Sequence, residues 1–128
     1  MAGVPPPAPL ADVVDFYDRH PISAPQILDA LRRQGKTASR LHLDDLGELD
    51  HDHYGGRAAV DALARRAALR PGARVLDVCA GLAGPARFLA ARFGVRVLAL
   101  DLNAGRCAGG AGAGMPAMLA ATRRRTKP

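Results

Sequence analysis

The stretch Arg74 to Asp101, R-V-L-D-V-C-A-G-L-A-G-P-A-R-F-L-A-A-R-F-G-V-R-V-L-A-L-D, restricts the chain to few architectures. An apolar run ending in an acid (Val75, Leu76, Asp77) enters a turn of small residues from Cys79 to Gly84. A helix-like segment follows, then a second apolar run (Val95 to Leu100) closed by Asp101. Strand, small-residue turn, helix, strand and acid, in that order, make the opening unit of a nucleotide-binding α/β sheet. The first strand, Ala73 to Val78, is apolar enough to be buried on both faces, as in the centre of a parallel sheet. Gly81 and Gly84 let the backbone approach a ligand closely, and Pro85 fits a first helical position because an N–H there has no partner to lose. Phe88 and Leu89 are expected to pack that helix onto the sheet.

Before this unit the pattern is helical. Leu10, Val13, Val14 and Tyr17 share one face of a helix over Leu10 to Asp18, with Asp12, Asp15 and Asp18 turned away. Ser23 with Gln26 three residues on is a capping-box signal for a second helix carrying Ile27, Leu28 and Leu31 and ending near Gly35. Leu43, Leu46 and Leu49 suggest a short helical turn, and Gly55 and Gly56 a positive-φ junction. Arg57 to Leu69 reads as the strongest helix, with Val60, Leu63, Ala64 and Ala67 on one stripe. The helices over residues 10–56 are expected to act as a cap or lid.

At 128 residues there is room for one domain. No run of about 18 apolar residues occurs, no signal peptide is legible, and two cysteines are too few for a disulfide framework, so the expected location is cytoplasmic. The net charge of +6 does not mark a nucleic-acid face: 13 Lys and Arg stand against 12 Asp and Glu through residue 104, and the excess lies beyond it. With three Phe and two Tyr in all, stacking side chains are scarce, so nucleic acid is not an expected partner. His51 and His53 lack a third suitably spaced ligand, and no metal is expected.

The acid at position 77 bears on the cofactor. A dinucleotide turn of the type G-x-G-x-x-G would need glycine where Cys79 stands, and a carboxylate at Asp77 would repel a pyrophosphate. S-adenosylmethionine, with an ammonium and a sulfonium at its methionine end, suits the same acid. An NAD(P)-dependent reductase is therefore the weaker alternative. Asp101, twenty residues after Gly81, can accept both hydroxyls of a ribose.

The segments D-H-D-H-Y-G-G (50–56), V-L-D-V-C-A-G-L-A-G-P-A-R-F-L-A (75–90) and V-L-A-L-D-L-N (97–103) resemble class I S-adenosylmethionine-dependent methyltransferases. Within these, they are similar to bacterial small-molecule enzymes of the glycine, sarcosine and dimethylglycine N-methyltransferase group. The resemblance covers about residues 10 to 103. In the family motif, an acid followed by G-x-G-x-G, Asp77 and Gly81 match while Cys79 and Ala83 replace glycines. His53, Gly55 and Gly56 match an H-x-G-G pattern on the lid side. The resemblance implies a Rossmann-like α/β sheet with an N-terminal helical cap and a small-molecule methyl acceptor, with an amine among the candidates. It implies cofactor contacts at Asp77, Cys79, Ala80, Gly81, Asp101 and Leu102, and it places Tyr17, His53 and Tyr54 on the lid side, facing substrate. No general base stands out.

After Asn103 the resemblance stops. Residues 1–9 (M-A-G-V-P-P-P-A-P) read as a disordered leader and 104–128, with glycine at 105, 109, 110, 112 and 114, as a disordered basic tail. The domain would thus be truncated after its second strand, with an unpaired sheet edge that promotes self-association. Marginal stability and weak or absent activity are then expected, and a non-catalytic remnant of the same fold is the alternative function.

Overall fold

The computed structural model describes residues 9–20, 22–37 and 41–111. The leader through residue 8 and the segment beyond 111, on which the sequence places disorder, lie outside them. Six helices and two strands follow in the order α1 (Leu10–Asp18), α2 (Ala24–Arg33), α3 (Leu43–Leu46), α4 (Gly56–Arg66), β1 (Arg74–Val78), α5 (Gly84–Phe93), β2 (Arg96–Leu100) and α6 (Ala104–Ala111).

The cap forms much as its sequence signals indicate. Ser23 is extended at the N-cap of α2, and its backbone N–H donates to Oε1 of Gln26 at 3.1 Å, the return half of a capping box. Beyond the C-cap of α2, Gly35 takes φ +77°, and Lys36 N–H reaches back to the Leu31 carbonyl at 3.0 Å. Ile27 and Leu31 of α2 are buried with Leu41, Leu46 and Leu82. Leu82 comes from the turn after β1, so the cap core is completed by the glycine-rich loop it covers. Full burial of one such leucine is worth about 1.5–3 kcal/mol.

The sheet is two-stranded and parallel, with Val75 opposite Val97 and Asp77 opposite Ala99. Helix α5 covers one face: Ala86 packs with Val95, Val97 and Ala99, and Leu89, Ala90 and Phe93 join from the same helix. The other face is open among the described residues. Leu76 is 57% and Val78 63% exposed, so β1 alternates in burial instead of being buried on both faces. An apolar run signals a strand fit for the middle of a sheet, but its burial requires a second layer, which no described element supplies.

Two other expectations are corrected. Helix α4 stops at Arg66, earlier than Leu69, and Ala64 is its buried residue, while Leu63 is 71% exposed on the cleft described below. Helix α6 forms where the glycine content predicts an unstructured tail. Asn103 explains its start: its Oδ1 accepts from the Arg106 N–H at 2.9 Å, and its own carbonyl accepts from Cys107 N–H at 3.1 Å. No helix among the described residues is long and apolar enough to cross a membrane.

Candidate functional site

A cleft of about 610 Å³ opens at the carboxyl ends of the two strands and continues along β1 toward α4. Its floor is the β1–α5 turn. Its walls are the 50–53 segment, Val13, Val14 and Tyr17 of α1, and the start of α6. Asp77, Cys79, Ala80, Gly81, Asp101 and Leu102 all line it, so the six residues singled out for the cofactor are gathered in one place. Tyr17 and His53 line it too, whereas Tyr54 is fully exposed and outside it.

The turn keeps the backbone of a glycine-rich loop at positions that are no longer glycine. Cys79 has φ +63°, Gly81 +55° and Ala83 +60°, all left-handed. A side chain in that region costs about 1–2 kcal/mol, part of which glycine would give back as chain entropy in the unfolded state. Cys79→Gly and Ala83→Gly are therefore each expected to raise stability by about 0.5–1 kcal/mol, read from the urea midpoint. A fall in midpoint for both would contradict the conformations assigned here.

Asp101 ties the turn to the end of β2. Its Oδ2 accepts from the Gly81 N–H at 2.7 Å and its Oδ1 from the Asn103 N–H at 2.8 Å. The Gly81 N–H is thus spent on a carboxylate instead of pointing at a ligand. A carboxylate offers about four acceptor positions, so Asp101 retains capacity toward the cleft. Asp77 is in the opposite condition. Its Oδ2 is buried with no hydrogen-bond partner among the described residues. Burial is the main cause that pushes its pKa above the usual carboxylate range; nearby Asp101 pushes the same way, and His53 opposes both.

Gly84 does something other than approach a ligand. A Cβ there would overlap the Asp50 carbonyl oxygen and lie 2.7 Å from its carbonyl carbon, so the start of α5 abuts the 50s segment directly. Beside this contact, Arg87 donates from Nη2 to Asp50 Oδ2 at 2.7 Å, and both side chains are buried. Phe88 turns from the sheet toward this segment. Its ring lies 6.1 Å from that of His51, and the Arg57 guanidinium sits 5.8 Å from its centre. His51 is buried, and loss of hydration is the main cause that lowers its pKa, with Asp50 opposing; its Nδ1 lies 3.2 Å from His53 Nε2.

Helix α6 and α1 close the remaining sides. The Asn103 Nδ2 donates to Asp18 Oδ1 at 2.8 Å, so Asp18 does not point away as the helical pattern suggests. The guanidinium of Arg106, 8% exposed, donates to Asp52 Oδ2 at 2.9 Å and lies 5.2 Å from the centre of the Tyr17 ring.

Comparison with known proteins bears on this arrangement. No protein-family model matches the chain, and no curated protein matches it. Two solved structures of Haemonchus contortus phosphoethanolamine N-methyltransferase 2 superpose on it. One, in complex with S-adenosyl-L-methionine, has a TM-score of 0.51 at 24% identity over 82% of this chain. The other, with phosphomonomethylethanolamine and S-adenosylhomocysteine, has a TM-score of 0.50 at 25% identity over 83%. The fold is that of a partial α/β unit and matches the N-terminal part of a methyltransferase Rossmann-like fold. The chain spans about one fifth of the length of those structures, 21% in each case.

Within this methyltransferase fold, several residues at the cleft escape a sequence reading. Asp50 and Asp52 belong to the D-H-D-H-Y-G-G segment but take no individual role from it, Arg87 takes none from its helix, and Arg106 counts toward a basic tail; only contacts distant in sequence give them roles. Asn103 carries a local signal, since Asn is a favoured N-cap, but the glycines after it argue against a helix.

Proposed function

We propose that the chain binds S-adenosylmethionine in the cleft and that its parent activity is methyl transfer to a small-molecule acceptor, an amine by preference. The observation that carries this is the pair of carboxylates at the strand ends. Asp101, at the end of β2 and lining the cleft, would accept from a ribose, and Asp77 presents a buried oxygen without a partner that a cationic ligand would relieve. A pyrophosphate would be repelled by the Asp77 carboxylate, which weighs against NAD(P), whereas an acid at Asp101 suits the ribose of either cofactor. The resemblance to N-methyltransferases of glycine, sarcosine and dimethylglycine supports an amine acceptor, as do the substrate names of the structural neighbours.

When bound, S-adenosylmethionine supplies a methyl group on a sulfonium, already a good leaving group. What remains for the protein is to position and to exclude water. Asp101 would accept from the ribose hydroxyls, and its bond to Gly81 would hold the turn in register with them. Asp77 would orient the ammonium of the methionine end, and Val13, Val14 and Tyr17 would screen the reacting atoms from solvent.

Asp77 also sets a sign for pH. Its pKa is raised in the fold, so its unpartnered carboxylate costs stability once the pH rises past both the ordinary and the raised values. That cost is absent below the ordinary carboxylate range. A bound cation offsets it. Calorimetry with S-adenosylmethionine is expected to give a single site, and Asp77→Asn to weaken binding while raising the unfolding temperature of the ligand-free chain at neutral pH. No heat at millimolar cofactor would overturn the reading, as would NAD displacing S-adenosylhomocysteine.

A further inference from the structure

Arg106 is an unusual wall for a cleft whose ligand would carry positive charge. Its guanidinium is almost wholly shielded from water, yet its Nε has no partner. A guanidinium has five N–H donors; among the described residues Asp52 Oδ2 accepts from Nη2 at 2.9 Å, while Nε finds no acceptor. The Tyr17 ring completes its surroundings, 5.2 Å from the guanidinium carbon. A desolvated cation held by one carboxylate and one ring face is loosely secured for a structural anchor.

The cradle is more specific than its occupant. A carboxylate beside an aromatic face is the arrangement that binds alkylated ammonium groups, the ring supplying its quadrupole and the acid a full charge. Asp52 side-chain exposure is 29%, so the carboxylate can remain solvated if Arg106 leaves. His20 Nδ1 approaches the same Oδ2 at 3.6 Å, and the Phe16 and His20 rings stand 5.2 and 6.0 Å from the Tyr17 ring. The position is right as well. Arg106 Nη2 lies 3.3 Å from where a Cβ of Gly81 would be, so the cation sits against the turn that lines the cofactor side of the cleft.

We propose that Tyr17 and Asp52 form a binding site for the cationic nitrogen of an alkylated amine, and that Arg106 fills this site with its own guanidinium in the ligand-free chain. The site is thereby self-occupied. An amine gains entry by displacing Arg106 toward solvent, and α6, which carries it, is the element that yields. The inference rests on the cofactor reading for its relevance to methyl transfer, but the cation site itself can be tested without cofactor.

The probe is choline, titrated into the full chain and followed by calorimetry. Arg106→Met keeps the apolar stem and removes the charge, and Arg106→Gln keeps donors in the same space. Either is expected to tighten choline binding at least tenfold over the unaltered chain, and adding Asp52→Asn or Tyr17→Leu is expected to remove the gain. S-adenosylmethionine binding is measured on the same samples. If both folded Arg106 variants bind choline no better while still binding the cofactor, the cation site is wrong and the cofactor reading stands. If choline binding rises but no form binds S-adenosylmethionine, the cofactor reading fails and the cation site stands. If neither variant folds, Arg106 is a structural anchor and the proposal is overturned.

Discussion

Asp101→Ala is expected to weaken S-adenosylmethionine binding by about 100-fold or more. Hydrogen bonds to a charged group contribute about 1.5–3 kcal/mol each, and a ribose offers two hydroxyls to this carboxylate. The same substitution removes the acceptor for the Gly81 and Asn103 N–H groups, 2.7 and 2.8 Å from the carboxylate oxygens. Two effects are therefore superposed, and Asp101→Asn separates them. The amide keeps one acceptor oxygen, so it should preserve more of the turn while losing the charge that favours the ribose. Calorimetry and urea unfolding run on both variants distinguish them. A folded Asp101→Ala chain with undiminished affinity would exclude Asp101 as the ribose acid.

Gly84→Ala is expected to destabilise the chain by about 3 kcal/mol, a severe loss for a domain of this size. The φ at Gly84 is not left-handed, so alanine meets no backbone objection and would on propensity alone favour α5. The cost is steric and comes from elsewhere in the chain. A methyl group at residue 84 occupies the space of the Asp50 backbone, and Asp50 cannot easily withdraw because its carboxylate is held by Arg87 at 2.7 Å. Relief requires the 50s segment to lift from α5, which opens the cleft wall formed by Asp50, Asp52 and His53. Urea unfolding measures the loss. A fall of less than about 1 kcal/mol would mean that the segment yields readily and that Gly84 is not what seats it.

The contrast between these sites explains how much was legible in advance. Asp77, Gly81 and Asp101 could be read from sequence because strand, turn and acid lie within one supersecondary unit, whose geometry is set by local rules. Cys79 and Ala83 could be recognised as departures from a glycine pattern, but whether the turn kept its shape is a matter of dihedral angles. The positive φ values of the two non-glycine residues, Cys79 and Ala83, show that the backbone accepts strain instead of changing course. Leu82, buried in the cap core, supplies a reason: moving the turn would withdraw it.

Charges were the least legible. The sequence places Arg106 in a basic tail and Asp18 on a solvent face, whereas the structure gives Arg106 to Asp52 and Asp18 to Asn103. The partners are separated by 54 and 85 residues, and no periodicity reports on pairs so distant. The exposed second face of β1 has a related cause. Leu76 and Val78 specify a strand suited to a sheet interior, but only a covering layer makes it one.

By itself, then, the sequence determined the strand–turn–helix–strand unit, the two carboxylates at its strand ends and the capped helices before it. These follow from local propensity, side-chain period and chain entropy, which act over a few residues. Tertiary structure decided that Gly84 receives the Asp50 backbone, that Leu82 locks the turn into the cap, and that Arg106 lies between Tyr17 and Asp52. Those depend on which surfaces meet once segments far apart in the chain are desolvated together, and that is set by packing and charge pairing in three dimensions.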